Sequence, residues 1–186
     1  MHLELAAAAD AEPIADLVNG AYRGTGGRLG WTHEAELMTG DRVGSQDVAA
    51  MIDDSTTAVL IRRSDDAAAL LACVAVQMDA PGRCTISMLA VAPELQAARL
   101  GRALLEEAER FAADRGATVA KLTVVHLRES LIAWYERRGY RRTGTREPFP
   151  YDETVGAPRR GDLHFVVLEK VLGPHGPPHD RAAGDD

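Results

Sequence analysis

Residues 86–105 of this 186-residue chain join an apolar strand, a loop and a helix start. The strand ends at Val91, Pro93 opens a turn, Ala97 and Ala98 are small, and from 101 to 115 strong helix formers such as Leu104, Leu105 and Glu106 take over. The first backbone N–H groups of a helix have no partner within it, and the aligned peptide dipoles favour negative charge at that end. A helix N-terminus placed directly after a strand therefore suits a phosphate or pyrophosphate.

Val91-x-Pro93-x-x-Gln96, followed by Gly101 and Leu104-Leu105, resembles the acyl-CoA signature of the GCN5-related N-acetyltransferases (GNAT). In that family Gln/Arg-x-x-Gly-x-Gly/Ala follows a Val-x-Pro strand end. Further on, Trp134-Tyr135-Glu136-Arg137-Arg138-Gly139-Tyr140 resembles the family's Phe-Tyr-Glu-Lys-x-Gly-Phe element, and the likeness spans residues 2–171. It implies an acyltransferase with acetyl-CoA as donor. Leu89, Ala90 and Val91 would run along the pantetheine arm, and Gln96, Ala97, Ala98, Arg99, Leu100, Gly101 and Arg102 around the pyrophosphate. Two positions depart from the pattern. Arg99 replaces the first family glycine, which lets backbone approach a pyrophosphate, so its side chain either faces solvent or pairs with a phosphate itself. Arg128 stands where an asparagine that contacts pantetheine is common, and an arginine there can reach a carboxylate or a phosphate.

Acyl transfer from a thioester to an amine needs a neutral amine, a stabilised oxyanion and a protonated leaving thiolate. The resemblance implies the backbone N–H near Leu89 for the oxyanion and Tyr135 as general acid, since a phenol keeps its proton at neutral pH. The alternative for Tyr135 is a half-buried helix residue packed beside Trp134. Where relatives often carry a carboxylate on the central strand, this chain has Thr85 and Ser87. His126, at a strand end, is the candidate base because imidazole titrates near working pH, with a structural role as the alternative. The acceptor side is expected to include Tyr22, Trp31, Glu34 and Glu36. The two glutamates either bind an ammonium or relay its proton through water, or form a solvated helix face.

These residues need a scaffold, and composition permits one. A length of 186 residues and 46% apolar content fit one domain with a real core, in which Ala, Leu and Val must do the packing because aromatics are 5%. The net charge of −7 argues against general affinity for DNA or anionic membranes. Cys73 and Cys84 make no disulfide framework and are read as buried thiols. His164, His175 and His179 have no zinc-like spacing, so no metal is expected. The chain opens without a basic, apolar leader and has no apolar run of 18 residues, so a soluble, cytoplasmic protein is expected.

Element by element, residues 2–7 read as a strand, and Asp10 caps a helix with Pro13 in its first turn and Ile14, Leu17, Val18 and Ala21 at helical spacing. A glycine-rich loop over 23–30 follows. Thr32 caps a helix containing Glu34, Glu36, Leu37 and Met38, and Ser45 caps another over 46–52. Strands over 56–63 and 67–78 form a hairpin about Ser64-Asp65-Asp66, and Pro81-Gly82 turns the chain into the strand of Leu89. Gly116 stops the next helix. A strand over 121–126, a helix capped by Ser130 and running through Arg138, and strands over 140–144 and 163–168 complete the domain of residues 1–172. The stretch 146–160 is expected to be a loop, and 173–186 a disordered tail.

This order predicts an α/β protein with a mixed sheet flanked by helices. The resemblance adds the GNAT fold, in which the strands of Leu89 and Val124 splay apart. The expected activity is transfer of acetyl from acetyl-CoA to the primary amine of a small molecule by direct attack. Two alternatives keep the fold: an aminoacyl-tRNA donor, which leaves tRNA open as a partner, and a catalytically silent CoA-binding domain. A homodimer is also left open.

Overall fold

A computed structural model describes residues 3–24, 36–67, 69–98, 100–151 and 157–173. In chain order the elements are β1 (Glu4–Leu5), α1 (Ala11–Arg23), β2 (Met38–Thr39), α2 (Ser45–Asp53), β3 (Thr57–Arg63), β4 (Leu70–Ala80), β5 (Arg83–Val91), α3 (Leu100–Asp114), β6 (Val119–Val125), α4 (Glu129–Glu136), β7 (Arg141–Pro148), β8 (Ala157–Pro158) and β9 (His164–Val171). Seven strands form one mixed sheet in the order β1-β3-β4-β5-β6-β9-β7, with β2 and β8 paired separately. The mixed α/β class and the flanking helices agree with the sequence.

Alternation along the strands divides the core into two layers. Cys73 and Ala75 of β4 pack with Ile14, Val18 and Val48 from α1 and α2. Their neighbours Ala72, Val74 and Val76 pack with Leu104, Leu105 and Ile132 from α3 and α4. β5 begins in step: Cys84 and Ile86 face the α3 layer. Beyond them the parity inverts, with Met88 and Ala90 on the α1 side and Val91 on the α3 side. The cause is a β-bulge. Cys73 pairs with Ala90 and Ala75 with Ser87, so β5 spends one residue more than β4, and Met88 takes a left-handed φ of 50°. That conformation costs a β-unbranched residue about 1–3 kcal/mol, which the burial of Met88 and the Cys73 S–H donated to its carbonyl (3.6 Å) help to offset. Both cysteines are free and buried, and burial pushes the Cys73 thiol up to about 12 and the Cys84 thiol up to about 11, so neither is a ready nucleophile.

Several local expectations are corrected. Asp10 stands at the N-cap position of α1 but makes no side-chain capping bond there; its carboxylate accepts the Ala7 N–H at 2.9 Å, closing a 3-10 turn over Ala8–Asp10, and pairs with Arg63 of β3. Gly44 rather than Ser45 is the N-cap of α2, with its N–H donated back to Asp47 at 3.0 Å. Arg128 rather than Ser130 precedes α4, which ends at Glu136. Met38 is not helical. It pairs with Pro158 across β2 and β8 and is buried beside Phe149 and Leu163, a long-range pairing that outweighs local helix propensity. The loop expected over 146–160 gives its first residues to β7 and two more to β8. Gly116 does close α3, at φ 91°. Most of the glycine-rich loop, the Thr32 cap and the tail from residue 174 lie outside the described residues.

Candidate active site

Among the described residues β5 and β6 form the one parallel pair, and these two central strands begin together and then part. Among the described residues their ladder runs through Arg83–Val119, Cys84–Ala120 and Thr85–Lys121 and then stops. From Ile86 and Leu122 onward the facing edges have no ladder partner in each other, and a cleft partly continuous with solvent opens between them. The bulge at Met88 sits on one wall and turns Ser87 and Leu89 into the opening. Val124 lines the other wall.

Three elements close around this opening. From α1, Tyr22 donates its hydroxyl to the Leu89 carbonyl at 3.2 Å, so the helix pins the strand at the bulge. From α4, Tyr135 reaches the same cleft while its ring lies edge-on to Trp134 (4.9 Å) and Tyr140 (5.6 Å). Burial holds the Tyr135 hydroxyl well above the usual phenol value, nearby Tyr22 adds to the rise, and Arg128 and Arg138 oppose it. Tyr135 is therefore a protonated hydrogen-bond donor at every working pH. The third element is the N-terminal turn of α3. A Cβ on Gly101 would lie 3.8 Å from Val91 and 4.0 Å from Trp134, so the end of β5, the start of α3 and α4 meet at this residue. Arg138 fixes the junction by stacking 3.5 Å over the Trp134 ring and donating to the Trp134 carbonyl at 2.7 Å.

The expected residues separate accordingly. Tyr22, Leu89 and Tyr135 line one cleft. Ala90 is buried in the α1 layer and Val91 in the α3 layer. Gln96, Ala97 and Ala98 belong to a 3-10 turn over Pro93–Ala98, which delivers the chain to α3 at Leu100. Arg102, exposed in the first turn of α3, pairs with Glu106 at 2.7 Å. Arg128 is buried before α4 and close enough to Tyr135 to act on its hydroxyl. His126 is not brought to the lining of the cleft. Its ring stacks on His164 at 4.0 Å and 7°, and its Nδ1 accepts the His164 backbone N–H at 3.4 Å. Glu36 is exposed, and Trp31, Glu34 and Arg99 lie outside the described residues. Thr85 also lines the cleft, with its hydroxyl donated to Asp79 at 2.7 Å.

Sequence reasoning missed Met38, Arg42 and Phe165, which line the cleft together with Phe149 from the 146–160 stretch. Nothing local marks them. They converge because β2 pairs with β8 and β6 with β9, across large separations in sequence.

The family model described as acetyltransferase (GNAT) family matches residues 28–140. Among solved structures, nourseothricin acetyltransferase is 27% identical with a TM-score of 0.54, covering 65% of this chain and 68% of that one. The ribosomal-protein-S18-alanine N-acetyltransferase of Escherichia coli is 18% identical with a TM-score of 0.66, covering 94% and 96%. A ribosomal-protein-alanine N-acetyltransferase of Brucella melitensis is 18% identical with a TM-score of 0.66, covering 92% and 100%. No curated protein matches the chain. Among the described residues no helix is long and apolar enough to cross a membrane.

Proposed function

The chain belongs to the acetyltransferase (GNAT) family, and from that premise we propose that it transfers an acetyl group from acetyl-CoA to the primary amine of a small molecule by direct attack. The observation that carries the reading is the convergence of Leu89 and Tyr135 on the opening where β5 and β6 stop pairing. The opened edge of β5 would hold the pantetheine arm through its backbone, and the N-terminal amides of α3 would hold the pyrophosphate. Acetyl-CoA supplies an activated acyl group with a thiolate leaving group. The Leu89 N–H is read as the donor to the carbonyl oxygen as it gains charge. Tyr135 is read as the proton donor to the departing sulfur, a role that suits a phenol held protonated by burial.

Removal of the amine proton has a different basis. The described residues lining the cleft include no carboxylate and no imidazole, and on this reading the acceptor amine gives its proton to water. kcat/KM is therefore expected to rise with pH through the acceptor's own amine pKa, and Tyr135, held above the ordinary phenol value of about 10, should cause no fall below pH 10. The pH profile of CoA release, measured on the wild type and on His126→Gln, checks this. A plateau already reached near neutral pH in the wild type and abolished in His126→Gln would return proton removal to the histidine. The alternative acyl donor is separated by binding: acetyl-CoA should raise Tm, whereas stabilisation by aminoacyl-tRNA without any CoA effect would favour the tRNA reading.

A further inference from the structure

The cleft carries one formal charge among its described lining residues, and it is positive. Arg42 follows β2 and lines the opening together with Met38, Leu131, Phe149 and Phe165. Its guanidinium lies 5.8 Å from the centre of the Tyr22 ring and forms no ion pair or hydrogen bond with another described residue. Its position is fixed by the backbone. Asn19 of α1 accepts the Arg42 N–H (2.6 Å) and the Val43 N–H (3.2 Å) and donates to the Val43 carbonyl at 3.0 Å, while Arg23 donates to the Gly40 carbonyl at 2.8 Å. The loop that holds Arg42 is thus clamped to the helix that also pins the bulge through Tyr22. A half-buried guanidinium on a backbone held in place, beside apolar side chains, is among the described residues a charge without a counterion.

Resting on the acetyl-transfer reading, we propose that the acceptor is an amine that also bears a carboxylate, with Arg42 holding the carboxylate and Met38, Phe149 and Phe165 packing against an apolar body. Guanidinium geometry matches a carboxylate in a two-bond fork, and partial exclusion of water strengthens the pair. The same charge repels polycations. A polyamine would bring several ammonium groups to a cleft that offers them, among the described residues, no carboxylate. Amino acids with apolar side chains have the required chemistry, and the separation between amine and carboxylate selects among them.

The test uses the full chain with acetyl-CoA and matched acceptors: leucine, methionine and phenylalanine, their α-decarboxylated amines, their primary amides, longer amino acids with the amine further from the carboxylate, and spermidine. At least one carboxylated amine should exceed its decarboxylated partner in kcat/KM by about 10², the scale of losing one member of a partly buried charge pair. Arg42→Gln should erase that preference by lowering only the carboxylated acceptor, and Arg42→Lys should restore part of it. Circular dichroism of both variants should match the wild type, because the loop is held through backbone groups rather than the guanidinium. Turnover that ignores the carboxylate, or that favours spermidine, overturns the inference and leaves the acetyl-transfer reading standing. Absence of both calorimetric acetyl-CoA binding and turnover with every amine overturns that reading, and the inference with it.

Discussion

Tyr135→Phe is expected to bind CoA and fold as the wild type does while kcat falls by about 10² to 10⁴, the range for a lost general acid. The hydroxyl is the only group removed. The ring would keep its edge contacts with Trp134 and Tyr140 and its place among Leu104, Leu105 and Ile132, so packing offers no other route to a large loss. KM for the amine should change little, because the Tyr135 hydroxyl is read as acting on the leaving sulfur, whereas Arg42 is read as the anchor of the acceptor. Stopped assays with acetyl-CoA, together with a Tm for each protein, measure both quantities. Full turnover in Tyr135→Phe across the pH range would remove the phenol from the proton chemistry.

Gly101→Glu should separate stability from donor binding in opposite directions. A side chain at this position would meet Val91 and Trp134 only at ordinary contact distances, so the fold has room for it. A glutamate in the first turn of α3 also suits the helix dipole by about 0.3–1 kcal/mol, and replacing a helical glycine adds a similar gain. Tm should therefore hold or rise. CoA affinity should nevertheless fall by about ten- to a hundredfold, because the new carboxylate would occupy and repel the phosphate position proposed at the same helix end. Calorimetry on the folded variant reads the loss. Unchanged affinity would move the pyrophosphate away from α3.

The contrast between these two variants reflects what the chain displays locally. The strand end at Val91, the helix after it and the stop at Gly116 are legible because apolar runs, helix formers and a glycine act over a few residues. Tyr135 was legible through a seven-residue pattern, and the buried thiols through the absence of partners for two cysteines. The bulge at Met88 was not. Residues 84–91 alternate or run apolar whether or not an extra residue is inserted, and only pairing with β4 reveals the change of face. Asp10 reads as a helix cap because aspartate often is one, yet Arg63 on β3 competes for it. His126 was singled out for its chemistry at a strand end, while its surroundings depend on β9, where His164 stacks on it. Arg42 illustrates the same limit most sharply: the role proposed for it rests on an apolar wall of Met38 from β2, Phe149 just after β7 and Phe165 from β9, and on the described lining containing no acid to neutralise it.

The most direct measurement of the central claim is a crystal structure of the wild type with CoA. The account predicts the pantetheine arm between β5 and β6 beyond Thr85, its sulfur between Leu89 and the Tyr135 hydroxyl, and the pyrophosphate at the N-terminus of α3. CoA bound elsewhere on the surface, or its sulfur on the far side of the sheet from Tyr135, would contradict it.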